Sequence, residues 1–222
     1  MPLRSFQEEA DRITQSILSG GYSYRDLYIH VTPGGGKSLL PLLFSKLIPT
    51  HIDALCWVVP RKVLARQAEL AFMDSDKRRM AQINHKIRHS TNETNPCRGL
   101  AGFVTTYNAI LADKTGLLLK EFRNKRYLLI LDEPHHVQEN FEDPEHPLLV
   151  TKRALAPLVE LARFKVFMSG TFARGGNEPI GFLPYKPDGL KYRLAFPDEQ
   201  TIRYRRRQAL EEGAIVPLHF RI

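Results

Sequence analysis

A chain of 222 residues makes one large domain or two small ones, and a hydrophobic share of 43% can bury a sizeable core. Lysine and arginine number 32 against 24 aspartates and glutamates, so the formal net charge is +8, which favours a polyanionic partner such as nucleic acid. Two cysteines exclude a disulfide-rich secreted scaffold. The opening stretch carries Glu8, Glu9 and Asp11 where a signal peptide would be apolar, and no apolar run nears the ~18 residues of a membrane span. These features describe a soluble, cytoplasmic protein with no membrane partner.

Helix-period segments alternate with short apolar runs. Ser5 and Glu8 have the spacing of a capping box, and Phe6, Ala10, Ile13 and Ile17 recur at helical spacing. A helix is therefore predicted over 5–18, ended by Gly20 and Gly21. Leu27–Val31 reads as a strand, 33–36 as a loop and Lys37–Leu47 as a helix. The run Ala54–Val59 is apolar throughout, as in a strand buried on both faces. A helix over Arg61–Met73 would put Val63, Leu64, Ala68 and Phe72 on one side. Residues 74–99 are polar and read as a surface insertion, a loop or short exposed helix, with Cys97 exposed there and Cys56 buried in its strand. Next come strand Ala101–Thr105, helix Thr106–Ala112 and strand Tyr127–Leu131. A helix Val150–Arg163 must kink or begin near Pro157, before strand Lys165–Met168. Residues 172–190 are loop-like, and candidate strands Gly189–Phe196 and Ala214–Phe220 flank a helix Arg205–Glu212. This alternation calls for a mostly parallel α/β sheet with helices on both faces, which binds ligands beyond the carboxyl ends of its strands. Gly34–Ser38, Pro60-Arg61, Thr105–Tyr107, Asp132-Glu133 and Ser169–Thr171 each follow a strand, which predicts one shared site.

Thr32, Pro33, Gly34, Gly35, Gly36, Lys37 and Ser38 stand between a strand and an apolar helix, the context of a phosphate-binding loop. Glycines let successive backbone amides point at phosphate oxygens, and the helix start adds partial positive charge. Lys37 can reach the outer phosphates of a nucleotide such as ATP, and the Ser38 hydroxyl can ligate Mg2+. The strict motif wants a glycine where Val31 stands, and a glycine turn followed by a surface lysine is the plain alternative. Asp132 and Glu133 end the apolar run Tyr127–Leu131, where burial is costly unless they have a task. Beside a phosphate loop, Asp132 would hold Mg2+, Glu133 would orient or deprotonate the attacking water, and His135 would link the nucleotide to neighbouring loops. The competing reading is an acidic turn opening a helix at Pro134. His135, His136 and His146 fit no standard zinc spacing.

In chain order, Phe6-Gln7, residues 32–38, Pro60-Arg61 with Gln67, Thr105–Tyr107, Asp132–His135 and Ser169–Thr171 resemble the first half of a superfamily 2 helicase core. More narrowly, they are similar to the helicase-subunit family of type III restriction enzymes and related DNA translocases. The resemblance covers nearly the whole chain. It implies a single RecA-like P-loop NTPase domain over 1–222, with 172–222 leading toward a second RecA-like domain. It places Gln7 in the adenine-recognition motif, 32–38 in motif I, and Pro60, Arg61, Thr105, Thr106 and Tyr107 against nucleic acid. Asp132–His135 would be the DExH box, with proline at its variable place. Ser169, Gly170 and Thr171 would be the coupling motif III, with glycine where alanine is usual. Ser169 and Thr171 would then hydrogen-bond the acidic loop and relay the state of the nucleotide. The implied activity is ATP hydrolysis, with Mg2+, that drives movement on a nucleic acid. DNA is favoured over RNA by the narrower likeness. The second domain would supply arginine fingers worth ~10³–10⁵ in rate, so this chain alone, expected to be a monomer, should bind nucleotide weakly and turn it over slowly. The alternatives are a P-loop kinase or other NTPase without a nucleic-acid partner, and a non-catalytic interaction module.

Overall fold

A computed structural model describes residues 2–137, 147–172, 179–189 and 191–216. The helices are α1 (Ser5–Leu18), α2 (Leu40–Phe44), α3 (Lys62–Met73), α4 (Ser75–Ala81), α5 (Tyr107–Leu111), α6 (Leu117–Asn124), α7 (Pro147–Leu161) and α8 (Arg206–Glu211). The strands are β1 (Asp26–Val31), β2 (Ala54–Val59), β3 (Ile87–His89), β4 (Gly102–Thr106), β5 (Tyr127–Asp132), β6 (Phe164–Ser169), β7 (Tyr185–Asp188), β8 (Lys191–Leu194) and β9 (Thr201–Tyr204). Seven of them form one sheet in the order β3-β4-β2-β5-β6-β1-β9, and every neighbouring pair is parallel. β7 and β8 form a separate antiparallel pair.

The apolar runs explain the layers. Successive side chains of a strand point to opposite faces, so a strand covered on both sides must be apolar at every position. Leu128 and Ile130 of β5 pack with α1, α2 and α3 on one face. Tyr127, Leu129 and Leu131 pack with α5, α6 and α7 on the other. No helix among the described residues is long and apolar enough to cross a membrane.

Several expectations are corrected. The cap of α1 is shifted by one residue: the Arg4 amide donates to Gln7 Oε1 at 3.0 Å, while the Ser5 hydroxyl donates to Glu212 at 2.5 Å. The predicted helix Lys37–Leu47 is α2 flanked by 3₁₀ turns Lys37–Leu39 and Ser45–Leu47; Pro41 in the first turn of α2 has no amide hydrogen to extend the ladder. Val63 is 68% exposed and does not join the buried side of α3. In segment 74–99 the expected short exposed helix is α4, but the segment also supplies the edge strand β3, whose Ile87 is fully buried. Cys97 is buried rather than exposed, with its sulfur 3.4 Å from the Tyr127 hydroxyl. α7 runs through Pro157 and begins before Val150. α6, β7 and β9 have no counterpart in the sequence expectations. Residues 214–216 form no strand, and the rest of the predicted strand Ala214–Phe220 lies outside the described residues, as do 173–178 and 190 of the predicted loop.

β4 runs so close to β2 that a Cβ on Gly102 would collide with the Leu55 carbonyl oxygen. Gly102→Ala is expected to lower the urea midpoint, with a loss of ~1–3 kcal/mol, since both strands must part to admit one methyl group. An unchanged midpoint would show that the sheet yields freely there.

Candidate functional site

β5, β6 and β1 are consecutive in the sheet, and their carboxyl ends bring three separate segments together. Lys37, beyond β1, places Nζ 2.9 Å from Asp132 Oδ1 and also pairs with Glu133 Oε1. The other Glu133 oxygen accepts from the Ser169 hydroxyl at 2.5 Å and lies 3.5 Å from His135 Nδ1. The Thr171 amide donates to Ser169 Oγ at 3.0 Å, which fixes that hydroxyl. Glu133 has φ +54°, a left-handed conformation costly for a residue with a side chain, yet its amide still donates to Met168 at 2.8 Å. This turn swings Glu133 back over β6. Pro134 does open a short 3₁₀ turn, so the acidic-turn geometry and the ion cluster coexist.

Asp132 is only 6% exposed. Burial pushes its pKa up, and the nearby Lys37 charge only partly offsets this. Burial works the same way on Glu133, but hydrogen bonds from Lys37 and Ser169 hold it below the ordinary carboxylate value. For Lys37, burial opposes the charge while Asp132 and Glu133 prevail and raise its pKa. Two carboxylates share one ammonium, and His135 lies beside one of them.

The glycine loop is shaped by close approach. Gly34 and Gly36 have φ +76° and +89°, and a Cβ on Gly35 would lie 2.7 Å from Val31 and 2.8 Å from the Thr32 carbonyl. Helix α1 ties the loop back: the Arg4 guanidinium donates to the Gly35 carbonyl, and Gln7 Nε2 donates to the Gly36 carbonyl at 3.1 Å. Gly170 packs against Pro33, where a Cβ would come within 3.1 Å of the ring, a tight fit for any side chain. A cavity of about 590 Å³ opens beside the loop, lined by Gly34, Gly36, Lys37, Ser38, Trp57 and Asp132, and continues along α3. Ser38 and Asp132 therefore face one space. Among the described residues, no group of three histidine, cysteine, aspartate or glutamate side chains could hold a metal ion, and His146 lies outside them.

The expected nucleic-acid residues divide. Arg61 is exposed at the start of α3, beside half-buried Pro60. Thr105, Thr106 and Tyr107 are buried. Thr106 caps α5 by accepting from the Ala109 amide at 3.2 Å, and the Tyr107 hydroxyl donates to the Asp132 carbonyl at 3.0 Å. Tyr107 thus braces the acidic loop and Thr106 the start of α5, and all three side chains are buried. Arg4 and Trp57 were not anticipated. Arg4 carries no local signal, and Trp57 sits in an apolar run that reads only as core.

Residues 1–174 match the family described as type III restriction enzyme, res subunit. No curated protein matches the sequence. Among solved structures, the chain is similar to UvsW of bacteriophage T4, at 14% identity over 76% of this chain and 30% of that one, with a TM-score of 0.51. It is also similar to the Pyrococcus furiosus Hef helicase domain, at 17% identity over 78% of this chain and 33% of that one, with a TM-score of 0.52. The chain thus spans about a third of the length of these structures. The sheet and its flanking helices are those of RecA-like helicase domains.

Ser169→Ala removes a hydrogen bond to an ionised carboxylate and is expected to cost ~1.5–3 kcal/mol near neutral pH. Glu133 has a lowered pKa in the fold, so its contribution is full above its unfolded value of 4.5 and is lost as pH falls through the folded value. Urea midpoints of the two proteins should therefore converge as the solution is acidified. A gap that stays constant with pH would remove Glu133 as the partner.

Proposed function

The chain belongs to the type III restriction enzyme res-subunit family, and on that premise we propose that it is the ATP-binding first motor domain of a superfamily 2 DNA helicase or translocase. In this reading it couples ATP hydrolysis to movement on DNA, acting with a second RecA-like domain. The observation that carries the proposal is the contact of Lys37 with Asp132 and Glu133 at the edge of the cavity lined by the glycine loop.

Each residue then has a task. A peptide N–H points opposite to its C=O, so holding the Gly35 and Gly36 carbonyls toward α1 turns the amides of Gly36 and Lys37 the other way, available to phosphate oxygens. Lys37 exchanges part of its carboxylate pairing for the outer phosphates. Mg2+ suits the donors: the Ser38 hydroxyl and Asp132 carboxylate are hard oxygens on one cavity, and a single ammonium meets both carboxylates. Such ions usually take only one or two carboxylates from the protein, with substrate phosphates and water for the rest. When bound, the ion would neutralise charge developing on the transferred phosphoryl group. Glu133, ionised and steered by Ser169, orients the attacking water, and His135 beside it links this loop to the nucleotide. The net charge of +8, with Arg61 exposed at a strand end, supports a nucleic-acid track.

Trp57 is the single tryptophan and lines the same cavity. A non-hydrolysable ATP analogue with Mg2+ is expected to change its fluorescence, and Lys37→Ala to abolish that response. Glu133→Gln should keep the response while losing ~10²–10⁴ in turnover. A silent Trp57 together with no nucleotide binding by calorimetry would overturn the motor reading. Nucleotide binding with no salt-sensitive affinity for DNA would point instead to an NTPase without a nucleic-acid partner.

A further inference from the structure

β7 and β8 take no part in the main sheet, and they lie after residue 174, where the family match ends. The pair aligns Lys186 with Arg193, Pro187 with Tyr192 and Asp188 with Lys191. Alternation along each strand puts Lys186, Asp188, Lys191 and Arg193 on one face, and Tyr185, Pro187, Tyr192 and Leu194 on the other. The base of the second face is anchored. Tyr185 and Leu194 pack against the core that holds α5, α6 and α7, and the Ile180 amide donates to the Tyr185 hydroxyl at 2.8 Å. The far part stands in solvent: Lys186, Pro187, Asp188, Lys191 and Arg193 are exposed, and Tyr192 is 55% exposed.

That surface has a definite chemistry. Three cations oppose one carboxylate on the charged face, and a bare aromatic ring lies across from a proline on the other. Regularly spaced cations suit the phosphates of a flexible strand, and an exposed ring gives an unpaired base something to stack on. The hairpin is also braced toward the acidic cluster. Beyond Leu194, Phe196 stacks on Tyr28 at 4.6 Å between centroids and meets Phe172 edge-on at 5.0 Å. Phe172 directly follows Thr171, whose amide holds the Ser169 hydroxyl that bonds Glu133.

We propose that the β7–β8 hairpin is a binding element for single-stranded nucleic acid that passes over its exposed edge, with Lys186, Lys191 and Arg193 on one face holding the phosphates and Tyr192 on the other face under a base. The inference rests on the motor reading and adds to it the surface that grips the strand. Fluorescence anisotropy of a labelled oligothymidine of about 16 nucleotides, titrated across salt concentrations, tests it. The double variant Lys191→Glu, Arg193→Glu is expected to weaken binding at least about tenfold and to flatten the log–log salt slope by about 0.7 for each cation removed. Tyr192→Ala should weaken it about tenfold and Tyr192→Phe should restore it, as stacking on one base requires. Urea midpoints check that these exposed substitutions leave the fold intact. Wild-type affinity and slope in the variants, with the native chain binding well, overturn the hairpin proposal and leave the motor reading standing. Equal losses on a blunt duplex overturn the single-strand assignment. A native chain that binds nucleotide but no nucleic acid overturns the motor reading itself, and the hairpin proposal with it.

Discussion

Everything at the carboxyl edge of the sheet is organised around one ammonium group caught between two carboxylates. Asp132 is nearly inaccessible to water, and an isolated buried charge of that kind costs several kcal/mol. Lys37, 2.9 Å away, offsets part of that cost, while burial still pushes the Asp132 pKa up. A second carboxylate on the same ammonium makes the deficit larger. The protein thus holds a site whose electrostatics are incomplete, and a stable fold tolerates this only where neighbouring structure fixes every member. Tyr107 fixes the Asp132 backbone, Ser169 fixes the Glu133 side chain, and the turn at Glu133 is held by its hydrogen bond to β6.

Sheet order makes the contact possible. β6 lies between β1 and β5, so Lys37 must reach across the end of β6 to meet the acidic pair. The strand end it crosses carries Ser169 and Gly170, both small. Gly170 lets Pro33 approach, and His30 of β1 donates from Nε2 to the Gly170 carbonyl at 3.0 Å. A Cβ at that point would press on the Pro33 ring at 3.1 Å. The small residues after β6 are therefore a spacing device as much as a hydrogen-bonding one.

Much of this was legible in the sequence because burial leaves a strong mark. Ala54–Val59 and Tyr127–Leu131 have the continuous apolar character typical of strands covered on both sides, and polar clusters right after such runs fall at one edge of a parallel sheet. Weak local signals account for the misses. β3 and β9 are three and four residues long and carry arginine, so neither shows a period. Cys97 is buried by a contact with Tyr127 from a distant strand, which no local pattern announces. Thr106 has a residue type that suits phosphate binding and helix capping equally, and its capping of α5 is seen only in the packing. Arg4 donates to Gly35 across 31 residues of sequence, a pairing that depends wholly on how α1 lies over the loop.

The hydrogen bonds and ring contacts also connect the acidic cluster to the far side of the sheet edge. Glu133 cannot turn without releasing the Ser169 hydroxyl, and that hydroxyl also accepts from the Thr171 amide. Thr171 leads directly into Phe172, which is buried against Phe196 and against the His30 ring. Close-packed aromatic contacts transmit small shifts because they have little room to absorb them. Phe196 lies at the foot of the β7–β8 hairpin, so the path from Lys37 to that exposed ribbon runs through few side chains, each bonded or packed to the next. The acidic cluster and the hairpin are thus joined by a continuous run of hydrogen bonds and packed rings at one edge of the sheet.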